Sequence, residues 1–389
     1  SACSPRPRVV CDASTSARRC LEVVERDTDF RRRWRTLEAA RAANGGLGEA
    51  GIGLSLYFHG AGFTGNGERR MRSPVTVRLD DDGRVEILTA MTDMGQGLVA
   101  VFPQIASEAS GLALDDLVLA EPDTARVPDS GPTVASRATM VVGGTMVRAV
   151  DDLLATLLGW WGEHRGIAGG LRVVDSTVEA VEGGESWPFR QVARAYLEAR
   201  GPLEATVRHE PPEWQTFDEE TYRGAAYPAY AWGADVVEVA VDPDTLEVRA
   251  ERATAVCEVG RVIHPTLCAG QIEGGTLQSV AWALMEEVKV DRGRYLNDRL
   301  ATYIIPTAQD APDIDVHLLE HPWDGGPYGA KGVGELPMDG GAPAAVAAVE
   351  NATGLAVGEI PATPERLFEA WRARSTAPGA TGRGDADEG

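Results

Sequence analysis

The sequence has few cysteines, no long apolar run and a shortage of cations, and each scarcity closes off a class of protein. Five cysteines in 389 residues, Cys3, Cys11, Cys20, Cys257 and Cys268, are odd in number and irregularly spaced. They form neither a disulfide framework nor the close CxxC clusters of zinc and iron–sulfur sites, so a reducing, cytoplasmic location is expected. No stretch reaches the roughly eighteen apolar residues that a membrane span requires. The start, Ser1-Ala2-Cys3-Ser4-Pro5-Arg6-Pro7-Arg8, lacks the apolar core of a secretory signal. Lys and Arg number 37 against 59 Asp and Glu, a formal net charge of −22. That balance opposes nucleic acid and anionic membrane surfaces, both of which need clustered cations.

Glycine is plentiful, with 44 residues against an ordinary usage of about 7%. The densest run is Gly326-Pro327-Tyr328-Gly329-Ala330-Lys331-Gly332-Val333-Gly334-Glu335. Glycine at this density disfavours helix and packed strand, and it permits positive φ or a close approach of backbone N–H groups to a ligand. The carboxylate at its end, Glu335, is followed by Leu336-Pro337 and suggests a general base directed into a cavity. A solvated surface loop is the plainer alternative.

Residues 1–45 are arginine-rich and amphipathic, predicting one or two helices that end near Asn44-Gly45-Gly46. Segment 1–50 is therefore read as a helical piece packing on the domain or on a partner. Gly51–Phe58 reads as an apolar strand running into His59-Gly60-Ala61-Gly62-Phe63-Thr64-Gly65. Gly60, Gly62 and Gly65 make a literal GxGxxG, but no apolar helical face follows, which disfavours a dinucleotide site. Pro74–Ala90 reads as a hairpin turning at Asp80–Gly83, leading to Met94-Gly95-Gln96-Gly97 and an amphipathic helix. A strand at Leu117–Leu119, a loop over 123–133 and a long helix ending near Trp161 follow. Ser136 and Thr139 lie just ahead of that helix, where capping is the ordinary role. Between 165 and 220 only a strand near Leu171–Val174 and a helix over Phe189–Arg200 are legible, without chemistry.

A second hairpin spans Asp235–Val256 and runs through His264-Pro265 to Gly270-Gln271-Ile272-Glu273-Gly274 and an apolar helix. The order hairpin, Gly-Gln element, helix thus occurs twice, at 74–111 and 235–285. It predicts an α+β fold of two similarly built halves, 51–225 and 226–374, facing a shared site. A short hairpin at Asp291-Arg292-Gly293, helices over Pro343–Glu350 and Pro364–Arg374, and a disordered tail, 375–389, complete the reading.

Four motifs, taken in order, carry a family resemblance. They are Met94-Gly95-Gln96-Gly97, Asp129-Ser130-Gly131-Pro132-Thr133-Val134-Ala135-Ser136-Arg137, Gly270-Gln271-Ile272-Glu273-Gly274, and Gly329-Ala330-Lys331-Gly332-Val333-Gly334-Glu335. The chain resembles the molybdopterin-binding large subunit of the xanthine dehydrogenase / aldehyde oxidase family, from about Gly51 to about Trp371. Only the C-terminal half of that subunit is matched. Its N-terminal half, with a Gly-Phe-Gly-Gly loop, has no counterpart, and neither iron–sulfur cysteine motifs nor an FAD domain is found. The chain looks like one subunit of a split enzyme, similar to the medium molybdopterin subunit of nicotinate dehydrogenase.

The resemblance implies a molybdenum cofactor-binding domain holding molybdenum–molybdopterin, in the cytosine dinucleotide form, with the metal held through the dithiolene rather than by protein ligands. It implies cofactor contacts from Gly95, Gln96, Gly97, Ser130, Ser136, Arg137, Thr139, Gln271, Lys331, Gly332 and Val333. It assigns Glu335 the role of base toward the attacking oxygen. Tyr57 and Phe58 are expected to face a flat substrate, against the alternative of core aromatics on a strand. The implied reaction is hydroxylation of an electron-poor carbon in an N-heterocycle, purine or nicotinate-like, with water as the oxygen source. An aldehyde or carbon monoxide type hydroxylase and a catalytically silent scaffold are the alternatives. Implied partners are a second molybdopterin-binding subunit, an iron–sulfur subunit and an FAD subunit, with no nucleic acid and no membrane.

Overall fold

The computed structural model describes residues 16–44 and 46–376. Cys3, Cys11 and the expected tail from 377 onward lie outside the described residues. Ser375 and Thr376, read as tail, instead close the last helix.

Helices α1 (Ala17–Thr28) and α2 (Phe30–Ala43) meet at Asp29 and lead into the long strand β1 (Ala50–Ala61). One helical turn, α3 (Gly67–Met71), precedes the hairpin of β2 (Val75–Leu79) and β3 (Val85–Leu88). Helix α4 (Leu98–Ser110), strand β4 (Leu117–Leu119) and the long helix α5 (Gly143–Arg165) follow. Strands β5 (Leu171–Val174), β6 (Thr177–Ala180) and β7 (Ser186–Pro188) precede α6 (Phe189–Arg200) and β8 (Glu204–Val207). After the short pair β9 (Phe217–Asp218) and β10 (Arg223–Gly224) comes the second hairpin, β11 (Ala229–Val241) and β12 (Val248–Glu258), and helix α7 (Pro265–Leu284). The pair β13 (Val290–Asp291) and β14 (Arg294–Tyr295), strand β15 (Asp313–Leu319) and helices α8 (Gly341–Thr353) and α9 (Pro364–Thr376) end the chain.

Two four-stranded sheets organise these elements, ordered β4-β3-β2-β8 and β15-β12-β11-β1. In each, an antiparallel hairpin runs into a helix, and the next strand returns parallel to the hairpin's second strand. Thus β4 lies parallel to β3 after α4, and β15 lies parallel to β12 after α7. Both hairpins turn on an aspartate that caps its own turn. Asp80 Oδ1 accepts from the N–H groups of Asp82 and Arg84, and Asp242 Oδ1 from those of Asp244 and Thr245. The repeated order read in the sequence is therefore a repeat of topology.

The expected boundary between the halves is corrected by strand pairing. β1 precedes the first hairpin in sequence, yet it pairs antiparallel along its length with β11, from Ala50↔Ala240 to Ala61↔Ala229. Segment 51–61 thus belongs to the second sheet. The same pairing excludes a dinucleotide fold at the GxGxxG: β1 is antiparallel to its neighbour, and the following helix has five residues. Gly60 and Gly65 serve packing instead, since a Cβ on Gly60 would lie 2.3 Å from the Tyr227 ring and one on Gly65 2.6 Å from Phe217.

The first sheet packs on α4 and α5 through Val77, Ile87, Phe102, Met146 and Leu153. The second is covered on both faces. Val280, Ala345 and Ala348 of α7 and α8 meet Val237 and Val239 on one face. Cys20, Val23 and Val24 of α1 meet Ile52, Val236 and Val256 on the other. The N-terminal helical segment therefore packs on the domain itself. Helix α8 touches β1 at backbone distance: a Cβ on Gly51 or Gly53 would lie 2.0 Å from the carbonyl oxygen of Ala348 or Ala344. No helix among the described residues is long and apolar enough to cross a membrane.

Candidate functional site

Helix α5 opens through a π-helical stretch, Ala138–Val142, a local deviation found often at functional sites. Immediately before it, Ala135 and Ser136 both adopt positive φ, at 56° and 50°. Each such residue costs on the order of 1–3 kcal/mol and persists only where tertiary contacts dictate it. Those contacts are present. Gly62 N–H donates to the Ala135 carbonyl at 2.8 Å. Gly332 approaches so closely that a Cβ on it would lie 1.8 Å from the Ser136 carbonyl oxygen. The second and fourth motifs, far apart in sequence, are in this way locked together.

Their meeting holds Glu335. Ser136 Oγ donates to Glu335 Oε2 at 2.8 Å and accepts from the Glu335 N–H at 3.0 Å. His59 Nε2 lies 3.4 Å from the same Oε2, and His59 Nδ1 lies 2.9 Å from Asp339 Oδ2. The hydrogen bond to Asp339 outweighs partial burial and raises the His59 pKa above the ordinary imidazole value. Glu335 Oε1 has no protein hydrogen-bond partner among the described residues, and the side chain is half exposed.

Thr139 and Val333, which flank this pair in sequence, line a cleft together with Gln96, Gln271, Lys331, Arg261 and His264. Five expected cofactor contacts therefore share one cleft. Thr139 Oγ, from the π-helical stretch, and the Gln271 amide, from α7, have no hydrogen-bond partner among the described residues and are available as neutral donors. The Gln96 amide is used within its own loop, where Oε1 accepts from Met94 N–H at 2.7 Å and Nε2 donates to the Thr92 carbonyl at 2.8 Å. The start of α4 is occupied as well. Asp93 accepts from Gly95 N–H at 2.8 Å and Val99 N–H at 2.9 Å. Burial raises its carboxyl pKa, but these and the Gly97 and Leu98 N–H groups outweigh it and hold the group below the ordinary range. Gly97 itself turns toward Leu267, whose Cδ1 would meet a Cβ there at 2.6 Å, while Gly95 faces open space.

Three expected contacts are corrected by burial. Ser130 Oγ is fully buried, accepting from Ala90 N–H at 3.0 Å and donating to the Pro74 carbonyl at 2.7 Å. Arg137 is equally buried and makes a bidentate pair with Glu68 at 2.8 and 3.0 Å, also donating to the Ser130 carbonyl. Lys331 turns its Nζ to Glu258 Oε2 at 2.9 Å and the Tyr230 carbonyl at 3.0 Å. Burial pushes the Glu258 carboxyl up, with Lys331 pulling it down less strongly. These side chains tie loops to the core and present no polar atom to a ligand.

The substrate-facing role expected of Tyr57 is corrected too. Tyr57 is buried, its ring held between Gly233 and Gly340 and its hydroxyl donating to Asp235 Oδ1 at 2.7 Å. Burial pushes the Asp235 carboxyl up to about 7. Phe58 is exposed, but strand alternation puts it on the sheet face opposite His59, where it packs on Trp232 at a centroid distance of 4.9 Å. His59, Asp339 and Asp93 were missed in the sequence. Alternation along β1 could have placed His59 on the Tyr57 face. Nothing local signals that Asp339, in the turn after the Gly-rich loop, completes its environment.

The paired hairpin–helix–strand units and the loop-held carboxylate define an α+β fold of the molybdenum-hydroxylase class. The molybdopterin cofactor-binding domain family matches residues 25–312, and the chain belongs to it. A probable xanthine dehydrogenase subunit of Bacillus subtilis (strain 168) is 32% identical over 334 residues, covering 84% of this chain and 43% of that protein. Aldehyde oxidoreductase of Megalodesulfovibrio gigas is 28% identical over 344 residues, covering 87% of this chain and 34% of that protein. Among solved structures, quinoline 2-oxidoreductase from Pseudomonas putida 86 superposes with a TM-score of 0.76 at 28% identity, covering 92% of this chain and 46% of that one. The chain thus spans less than half the length of each.

Proposed function

We propose that this chain carries the base and one wall of the cofactor site of a molybdenum hydroxylase, and that a second molybdopterin-binding subunit supplies the opposite wall. One observation carries the reading: Glu335 Oε2 is held by Ser136 and faced by His59, which leaves Oε1 without a partner among the described residues, on the loop whose Val333 lines a cleft with neutral donors. The cleft encloses about 80 Å³, well short of the roughly 300–1,000 Å³ of a complete small-molecule site. That shortfall and the half-exposed Glu335 support a site closed by another polypeptide.

The donor set fits an anionic, oxygen-rich cofactor. Thr139 and Gln271 offer an O–H and an amide N–H₂, and Arg261, 3.6 Å from Glu320, brings a cation to the lining. Molybdenum–molybdopterin, in its cytosine dinucleotide form, is the cofactor proposed, and when bound it supplies a two-electron oxidant. The chain's own residues then do the following. Thr139 and Gln271 orient the group by hydrogen bonds. Ser136 engages Oε2 so that Glu335 presents Oε1, which takes the proton of the attacking oxygen. Electrons leave through iron–sulfur and FAD partner subunits, in a cytoplasmic setting supported by the free thiols of Cys20, Cys257 and Cys268.

An N-heterocycle is the proposed substrate, supported by the quinoline 2-oxidoreductase likeness. An aldehyde is the second reading, supported by the aldehyde oxidoreductase relative. A silent scaffold is opposed by the intact Ser136–Glu335 pair. In the assembled enzyme, Glu335→Gln is expected to lower kcat/KM by about 10²-fold or more with molybdenum content unchanged. Wild-type turnover in that variant refutes the reading. A panel of purines, pyridines and aldehydes on the same complex separates the two substrate classes.

A further inference from the structure

The proposed base has a second layer of control that follows from His59. This residue lies near the end of β1, and its cross-strand partner on β11 is Ala231, which carries no charge. The charged groups facing its ring come from the other side, Asp339 at Nδ1 and Glu335 at Nε2, at 2.9 and 3.4 Å. Both nitrogens of an imidazolium donate, so the charged ring can satisfy both carboxylates at once. A neutral ring has a single N–H. The shorter contact to Asp339 retains it, and Nε2 then turns a lone pair toward Glu335 Oε2.

We propose that His59, tethered by Asp339, is a positioning residue that fixes the Glu335 carboxylate through Oε2 and leaves Oε1 open, and that the clamp releases when the ring loses its proton. The inference rests on Glu335 being the base. It adds a pH-dependent element that Ser136 alone does not provide, because a serine hydroxyl does not titrate in this range. The direction follows from the raised pKa of His59: the clamp is intact below that pKa and is lost as pH rises through it. Proton affinity of the ring therefore reports the clamp directly. Removing either carboxylate lowers it, and Asp339, with the shorter contact, has the larger effect.

The test uses the assembled enzyme with labelled histidine rings. The chain has six histidines, and the signal missing from His59→Gln identifies the ring of interest. Its titration midpoint is expected above that of an ordinary imidazole, lower in Glu335→Gln, and lower still in Asp339→Asn. In parallel, His59→Leu is expected to lose at least about tenfold in kcat/KM and its alkaline limb. His59→Gln, which can keep one donor toward Glu335, recovers part of the rate without the limb. A ring midpoint unmoved by Glu335→Gln, or a wild-type pH profile in His59→Leu, overturns the proposal. Should Glu335→Gln retain full turnover while the ring midpoint still shifts, the assignment of the base fails and the His59–Glu335 contact stands.

Discussion

Side chains of the Gly-rich loop and of the Ser136 segment locked to it divide into those that hold and those that act in the proposed reaction. Lys331 and Glu258 form a fully buried pair, and removing one partner of such a pair costs about 3–5 kcal/mol. Lys331→Met is therefore expected to lower the denaturant midpoint sharply, and Lys331→Met combined with Glu258→Gln to recover much of the loss. Were Lys331 a cofactor contact instead, molybdenum content would fall at unchanged stability. Ser136 belongs to the acting group. Its hydrogen bond to a charged carboxylate is worth about 1.5–3 kcal/mol, so Ser136→Ala is expected to cost at least about tenfold in kcat/KM with molybdenum retained. Glu335 and Ser136 were legible as candidates from their motifs. The burial of Ser130, Arg137 and Tyr57 was not, because their partners Pro74, Glu68 and Asp235 lie on other elements.

At the scale of elements, glycine content has two distinct meanings. Gly53 on β1 lets α8 approach to backbone contact, whereas Gly159 in α5 has no neighbour within 4 Å of a Cβ. Gly53→Ala is expected to destabilise by about 1–3 kcal/mol or more through overpacking. Gly159→Ala is expected to stabilise by about 0.5–1 kcal/mol, since it only removes backbone freedom from a helix interior. Thermal unfolding of the two variants side by side checks both signs. The hairpins were readable because alternating strands and self-capping aspartates are local signals. The π-helical start of α5 and the positive φ of Ala135 and Ser136 are imposed by Gly62 and Gly332, which lie on other segments.

For the whole molecule, the proposed function makes the site a wall rather than an enclosure. Large apolar side chains at Tyr295, Leu296, Leu300 and Ile304, at and after β14, are exposed in the chain by itself, and exposed apolar surface favours association. The chain produced alone is expected to self-associate and to carry little molybdenum. Production with its native partners is expected to give a soluble complex with near-stoichiometric metal. Elemental analysis and light scattering on both preparations check this, and a monodisperse molybdenum-loaded single chain counts against it.

By itself the sequence determined the longer helices, the two main hairpins, their doubled hairpin–helix order and the candidate base, because periodicity, turn chemistry and glycine clustering act over a few residues. Only the tertiary structure decided that β1 joins the second sheet. It also decided that Arg137 and Lys331 are bound to buried carboxylates and that His59 faces Glu335. Which polar groups remain free for chemistry depends on partners tens to hundreds of residues away, and topology alone brings those together.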